Sequence, residues 1–113
     1  MTTKIIIVGP APHWSNPLPN LMIRQLQLGQ YPLRLNDGRG LEVSQIEAKL
    51  ADVAHRNGVG YFSVTDLLCD GSSCLTQIGD AIPDLTSFDI GHITPPVAKF
   101  LARHMLPILV DAK

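Results

Sequence analysis

Ile5-Ile6-Ile7-Val8-Gly9-Pro10 is the stretch from which the fold can be read. Four consecutive β-branched residues favour an extended backbone, and the Gly-Pro pair ends the run. A run that is apolar on both faces reads as a buried strand of a parallel sheet. Downstream, Ser44 to Asn57 reads as a helix. Ser44 and Glu47 have the spacing of a capping box, Ile46, Leu50, Val53 and Ala54 recur at helical intervals, and Asn57-Gly58 supplies a stop. Val59 to Leu68 then reads as a second strand, because Val59, Tyr61, Phe62, Val64 and Thr65 all favour sheet. Strand, helix and strand in this order predict a right-handed parallel crossover.

The segments around that unit are shorter on regular structure. Ala11 to Pro19 holds three prolines together with His13 and Trp14. It reads as a loop at the carboxyl end of the first strand, the place where open α/β sheets bind ligands. His13 and Trp14 are therefore the candidate substrate-binding residues, with a plain surface position as the alternative. Asn20 to Leu28 predicts a short helix stopped by Gly29, and Gln30 to Gly40 an irregular stretch around the turn Asn36-Asp37-Gly38. Thr76 to Ile93 lacks periodicity. The last helix is expected to start with Thr94 as N-cap and Pro95 at its first position, to present Val97, Phe100, Leu101 and Met105 as its apolar face, and to end at Pro107. Two strands and two or three helices are few for a covered α/β sheet. Residues 1–113 thus read as a single partial domain, the second half of a larger sandwich.

Composition narrows the function classes. The chain has 113 residues, 45% of them hydrophobic, which supports a packed core. Its net charge of -1 and lack of a basic cluster argue against a nucleic-acid partner. The apolar runs are too short to cross a bilayer or to serve as an export signal. The two cysteines, in Cys69-Asp70-Gly71-Ser72-Ser73-Cys74, lie close enough for a disulfide across a turn, which would imply an oxidising compartment. Two reduced thiols are the alternative.

Asp89-Ile90-Gly91-His92 is the constellation with the most chemistry. A carboxylate three residues before a histidine can orient the imidazole, which can then take a proton from a nucleophile. Gly91 lets the backbone bend between them. The alternative is a polar loop whose aspartate binds local amides. Spacing alone is weak evidence: Asp52 and His55 repeat it inside the predicted helix, where a solvated face explains them. Asp89, His92 and His13 are too few to argue for a metal, and no metal or cofactor is expected.

Three segments occur together in a telling order: Val8-Gly9-Pro10-Ala11-Pro12, then Leu68-Cys69-Asp70 leading to Cys74, then Phe88-Asp89-Ile90-Gly91-His92-Ile93-Thr94. They resemble the C-terminal part of SGNH (GDSL-type) hydrolase domains, of the subtype fused to bacterial membrane O-acyltransferases. The resemblance covers nearly the whole chain. It implies a flavodoxin-like three-layer α/β/α fold, ester chemistry on acyl esters of cell-surface polysaccharide, and a periplasmic location. It implies that Asp89 and His92 are the acid and base of a Ser-His-Asp triad. The family's Gly-Asp-Ser and Gly-x-Asn-Asp blocks are not in this sequence, so the chain is expected to be inactive alone and to lack the nucleophile segment. Pro96 departs from the small residue commoner at its position. Expected partners are the acyl or polysaccharide substrate, a membrane acyltransferase domain or the missing N-terminal segment, and a second copy paired through an open sheet edge. An inactive remnant or binding module is the alternative function.

Overall fold

The computed structural model describes residues 5–37, 40–79 and 85–110. The expected crossover is there. Strand β1 (Ile6–Val8) pairs in parallel with β3 (Gly60–Phe62), in the register Ile6 to Gly60, Ile7 to Tyr61 and Val8 to Phe62. Helix α2 (Leu41–Arg56) connects them and lies against both strands. The parallel pair is followed by a small antiparallel sheet in the order β2 (Arg34–Leu35), β5 (Ser73–Leu75), β4 (Cys69–Asp70). Helices α1 (Leu18–Gln27), α3 (Val64–Leu68) and α4 (Pro95–Val110) complete the α/β fold. No helix among the described residues is long and apolar enough to cross a membrane.

The core brings distant segments together. Leu18 and Met22 of α1 meet Phe62 of β3, Val64 and Leu68 of α3, and Val97 and Leu101 of α4, with Trp14, Leu85 and both cysteines in the same cluster. Cys69 and Cys74 are register partners on β4 and β5 and form a disulfide, their Cα atoms 4.0 Å apart. Gly71 and Ser72 make the two-residue turn between these strands, and Gly71 has φ +64°, a value that glycine adopts without strain. Closing so short a loop contributes about 2 kcal/mol by the chain-entropy argument.

Several local expectations are corrected. The second strand stops at Phe62 rather than running to Leu68, because Ser63 caps a new helix: its hydroxyl accepts from the Asp66 N–H at 3.0 Å. Helix α2 starts at Leu41, a turn before Ser44, so the capping box does not form. Glu47 turns inward instead, 8% exposed, and its carboxylate accepts from the hydroxyls of Ser63 and Thr65, the latter at 2.5 Å. Helix α4 continues through Pro107. The carbonyl that the proline cannot serve belongs to Arg103, which is exposed and can take water in its place. Strand β1 is not buried: Ile6 and Ile7 are half-covered and Val8 is 47% exposed. One strand and one helix are too little to cover both of its faces. The turn expected at Asn36-Asp37-Gly38 includes Gly38, which lies outside the described residues.

Glu47→Ala is expected to destabilise the fold by about 1–3 kcal/mol, since it leaves the fully buried Thr65 hydroxyl without its acceptor. Glu47→Gln, which keeps one acceptor oxygen, is expected to lose less. Thermal denaturation of the two variants checks the order; an unchanged Tm in Glu47→Ala would mean that the carboxylate adds nothing.

Candidate functional site

The candidate site grows out of the aperiodic stretch before α4, which buried hydroxyls hold in place. Thr76 donates to the Pro32 carbonyl at 2.8 Å, Thr86 to that of Leu75 at 3.0 Å, and Thr94 to that of Leu85 at 2.7 Å. Thr94 does sit at the start of α4, where its carbonyl accepts from the Ala98 N–H. A bridge between Ser87 and Ile93 then closes the loop that carries residues 88–92. Side-chain bonds to backbone carbonyls add here to isolated backbone bridges where no continuous ladder forms.

Asp89 organises this loop. Its Oδ1 accepts from the backbone N–H groups of His92 at 2.7 Å and Gly91 at 2.9 Å, and from the Ser87 hydroxyl at 3.1 Å. Its Oδ2 is 2.6 Å from His92 Nδ1. Those bonds hold the Asp89 carboxyl well below the usual carboxylate range; the His92 and Gly91 amides act most strongly, partial desolvation opposes them, and the His92 ring and Ser87 add to the effect. An ionised carboxylate only accepts, so Nδ1 carries the proton and donates it to Oδ2. In the neutral ring Nε2 then holds the lone pair, on a side chain that is 92% exposed. The loop therefore presents an oriented, accessible base.

Ser87 is a site residue that the sequence reading misses. A signal for it exists: a serine two residues before an aspartate is a common local hydrogen-bonding pattern. It is buried, and it also accepts from the Asp89 N–H at 3.1 Å.

The β1–α1 loop is fastened to the same place. The Trp14 N–H donates to the Ile90 carbonyl at 2.7 Å, and the Leu18 N–H donates to the Asp89 carbonyl at 3.1 Å. His13 is exposed and lies over Gly91, where an added Cβ would come within 2.9 Å of its Cδ2. Gly91 thus leaves room for the His13 ring, while its own φ lies outside the left-handed region, so the turn itself does not require glycine. Trp14, at 2% exposed, sits in the core cluster rather than on the surface of the loop. An aromatic flanked by prolines carries no local sign of which way it points.

The other histidines have local explanations. His104 bonds the Phe100 carbonyl at 2.9 Å and packs at a tilt against the Phe100 ring. Asp52 pairs with Arg56 at 3.0 Å rather than with His55. Among the described residues no three His, Cys, Asp or Glu side chains are grouped to hold a metal. The hydroxyls of Ser15, Ser63 and Ser87 are engaged by Asp37, Glu47 and Asp89 respectively.

Residues 1–107 match the family described as SGNH domain (fused to AT3 domains). A solved structure, the periplasmic domain of a lipopolysaccharide acetyltransferase of Salmonella ser. Paratyphi A, superposes with a TM-score of 0.82 at 28% sequence identity. The match covers 96% of this chain and 42% of that one, so the chain spans less than half of the domain it resembles. No curated protein sequence matches the chain.

Proposed function

From a chain that belongs to the family of SGNH domains fused to AT3 domains, we propose the acid–base portion of a polysaccharide O-acetyltransferase domain that works in the periplasm beside a membrane acyltransferase. The observation that carries this reading is the 2.6 Å contact between Asp89 Oδ2 and His92 Nδ1, with the rest of the Asp89 carboxylate tied to its own loop. The disulfide suits an oxidising compartment.

In this reading a serine Oγ–H approaches Nε2 of His92. As Oγ attacks an acyl carbonyl, Nε2 takes the proton, and Asp89 stabilises the imidazolium that forms. The donor's leaving oxygen then receives that proton, leaving an acyl-serine. A sugar hydroxyl reverses the sequence: Nε2 removes its proton, its oxygen attacks the ester carbonyl, and the proton returns to Oγ. Asp89 remains ionised throughout. No serine among the described residues sits where it would be activated by His92, so the serine of this reading belongs to another segment of the domain.

The test compares two proteins on p-nitrophenyl acetate. Residues 1–113 alone are expected to hydrolyse it no faster than their His92→Ala variant. A protein that joins this chain to a preceding serine-bearing segment is expected to acetylate that serine in a His92-dependent way. A longer protein whose serine is never acetylated would favour the alternative of an inactive remnant or binding module.

A further inference from the structure

A cleft of about 330 Å³ lies between the β1–α1 loop and the first turns of α2, lined by Pro10, Ala11, His13, Glu42, Val43 and Ile46, with Gly40 at its edge. We propose that it is the subsite for one sugar ring of the acyl acceptor, with Glu42 and His13 gripping the ring's hydroxyls. This rests on the reading of Asp89 and His92 as an acyl-transfer pair.

Three observations point the same way. The first is position: His13 lines the cleft on one side and covers Gly91 on the other. The cleft and the Asp89–His92 loop therefore share the His13 side chain, which puts the cleft beside that loop. The second is size. The volume falls at the small end of the range for ligand pockets, about 300–1,000 Å³, which suits a single ring rather than an oligosaccharide. An acetyl group would leave most of it empty.

The third is chemistry. Pro10, Ala11, Val43 and Ile46 offer aliphatic surface to the C–H face of a pyranose. Glu42 and His13 supply the few polar groups that orient a ligand in a mainly apolar site. A long acyl chain would fit less well, since it would desolvate the Glu42 carboxylate and give it no hydrogen bond in return. A sugar offers vicinal hydroxyls to the two oxygens of one carboxylate. An acid in the first turn of α2 is also favoured by the helix dipole, but that holds for any acid there and does not require a cleft.

The experiment is an amide NMR titration of residues 1–113 with methyl glucopyranoside, methyl galactopyranoside and methyl mannopyranoside, taken to high millimolar concentration, and separately with sodium butyrate as an acyl-chain probe. At least one glycoside is expected to give saturable shifts at Gly40, Val43 and His13. Glu42→Ala is expected to weaken that binding about tenfold with the thermal transition unchanged, and Glu42→Gln to weaken it less. Failure of all three glycosides to shift these amides, or saturation of the same amides by butyrate alone, would overturn the assignment. The titration needs neither serine nor turnover. A failed acetylation test with intact glycoside binding would thus sink the catalytic reading and with it the acceptor role of the cleft, leaving only a glycoside-binding cleft, and the reverse result would sink only the subsite.

Discussion

Replacing His92 by alanine in the serine-bearing protein is expected to lower kcat by about 10⁴-fold or more, because without the base the serine hydroxyl is no nucleophile at neutral pH. Asp89→Asn is expected to cost about 10³–10⁴-fold by a different route. The amide oxygen can still accept from the Gly91 and His92 N–H groups, so the loop keeps its shape. The amide nitrogen then faces Nδ1 and donates to it. That moves the imidazole proton to Nε2, where the attacking hydroxyl needs a lone pair. Initial rates of acetyl release, measured beside thermal denaturation, separate this from unfolding. An Asp89→Asn protein that keeps its activity would show that the contact does not set the tautomer.

The pH dependence follows from the same bonds. An acid whose folded pKa is depressed adds stability above its unfolded value of about 3.9 and loses it as pH falls through the folded value. Asp89 is of this kind. Its bonds to the loop are therefore complete at neutral pH and fail only in strong acid. A loss of activity between about pH 8 and pH 5 is therefore not a loss of the Asp89 charge.

Leu18→Ala is expected to be the costliest change to the fold, at about 2–5 kcal/mol. Leu18 is fully buried at the start of α1, within the cluster that joins α1, α3, β3 and α4. Its truncation removes the burial of most of a side chain and leaves a cavity between elements tied by backbone bonds. For a domain near this size, each kcal/mol lowers Tm by roughly 4–8 °C, so a fall of about 10 °C or more is expected. The site is expected to respond too, since the Leu18 N–H holds the Asp89 carbonyl. A Tm within a few degrees of the parent would mean that the helices close over the gap.

Much of the architecture was legible because it rests on local patterns. The β-branched run, the helical spacing between Ser44 and Asn57 and the Gly58 stop located β1, α2 and β3, and the match to a solved acetyltransferase periplasmic domain agrees with the α/β class read from them. Where prediction failed, two local signals competed, and a contact that the spacing alone does not reveal chose between them. Ser44 and Glu47 had the right spacing to cap α2, yet Glu47 is drawn to Ser63 and Thr65, 16 and 18 residues away. Val64 and Thr65 favour strand, yet they lie in α3, since Ser63 can satisfy its first turn.

By itself the sequence determined what short range can decide: the order of β1, α1, α2, β3 and α4, the Cys69–Cys74 turn, and an aspartate three residues from a histidine with a glycine between them. Tertiary structure alone decided that Trp14 goes into the core while His13 stays out over Gly91, and that buried threonine hydroxyls hold an aperiodic segment in place for Asp89. The physical reason is range. A turn or a helix stop is settled among a few neighbouring residues, whereas the direction of a side chain depends on surfaces that meet only after the chain has closed on itself.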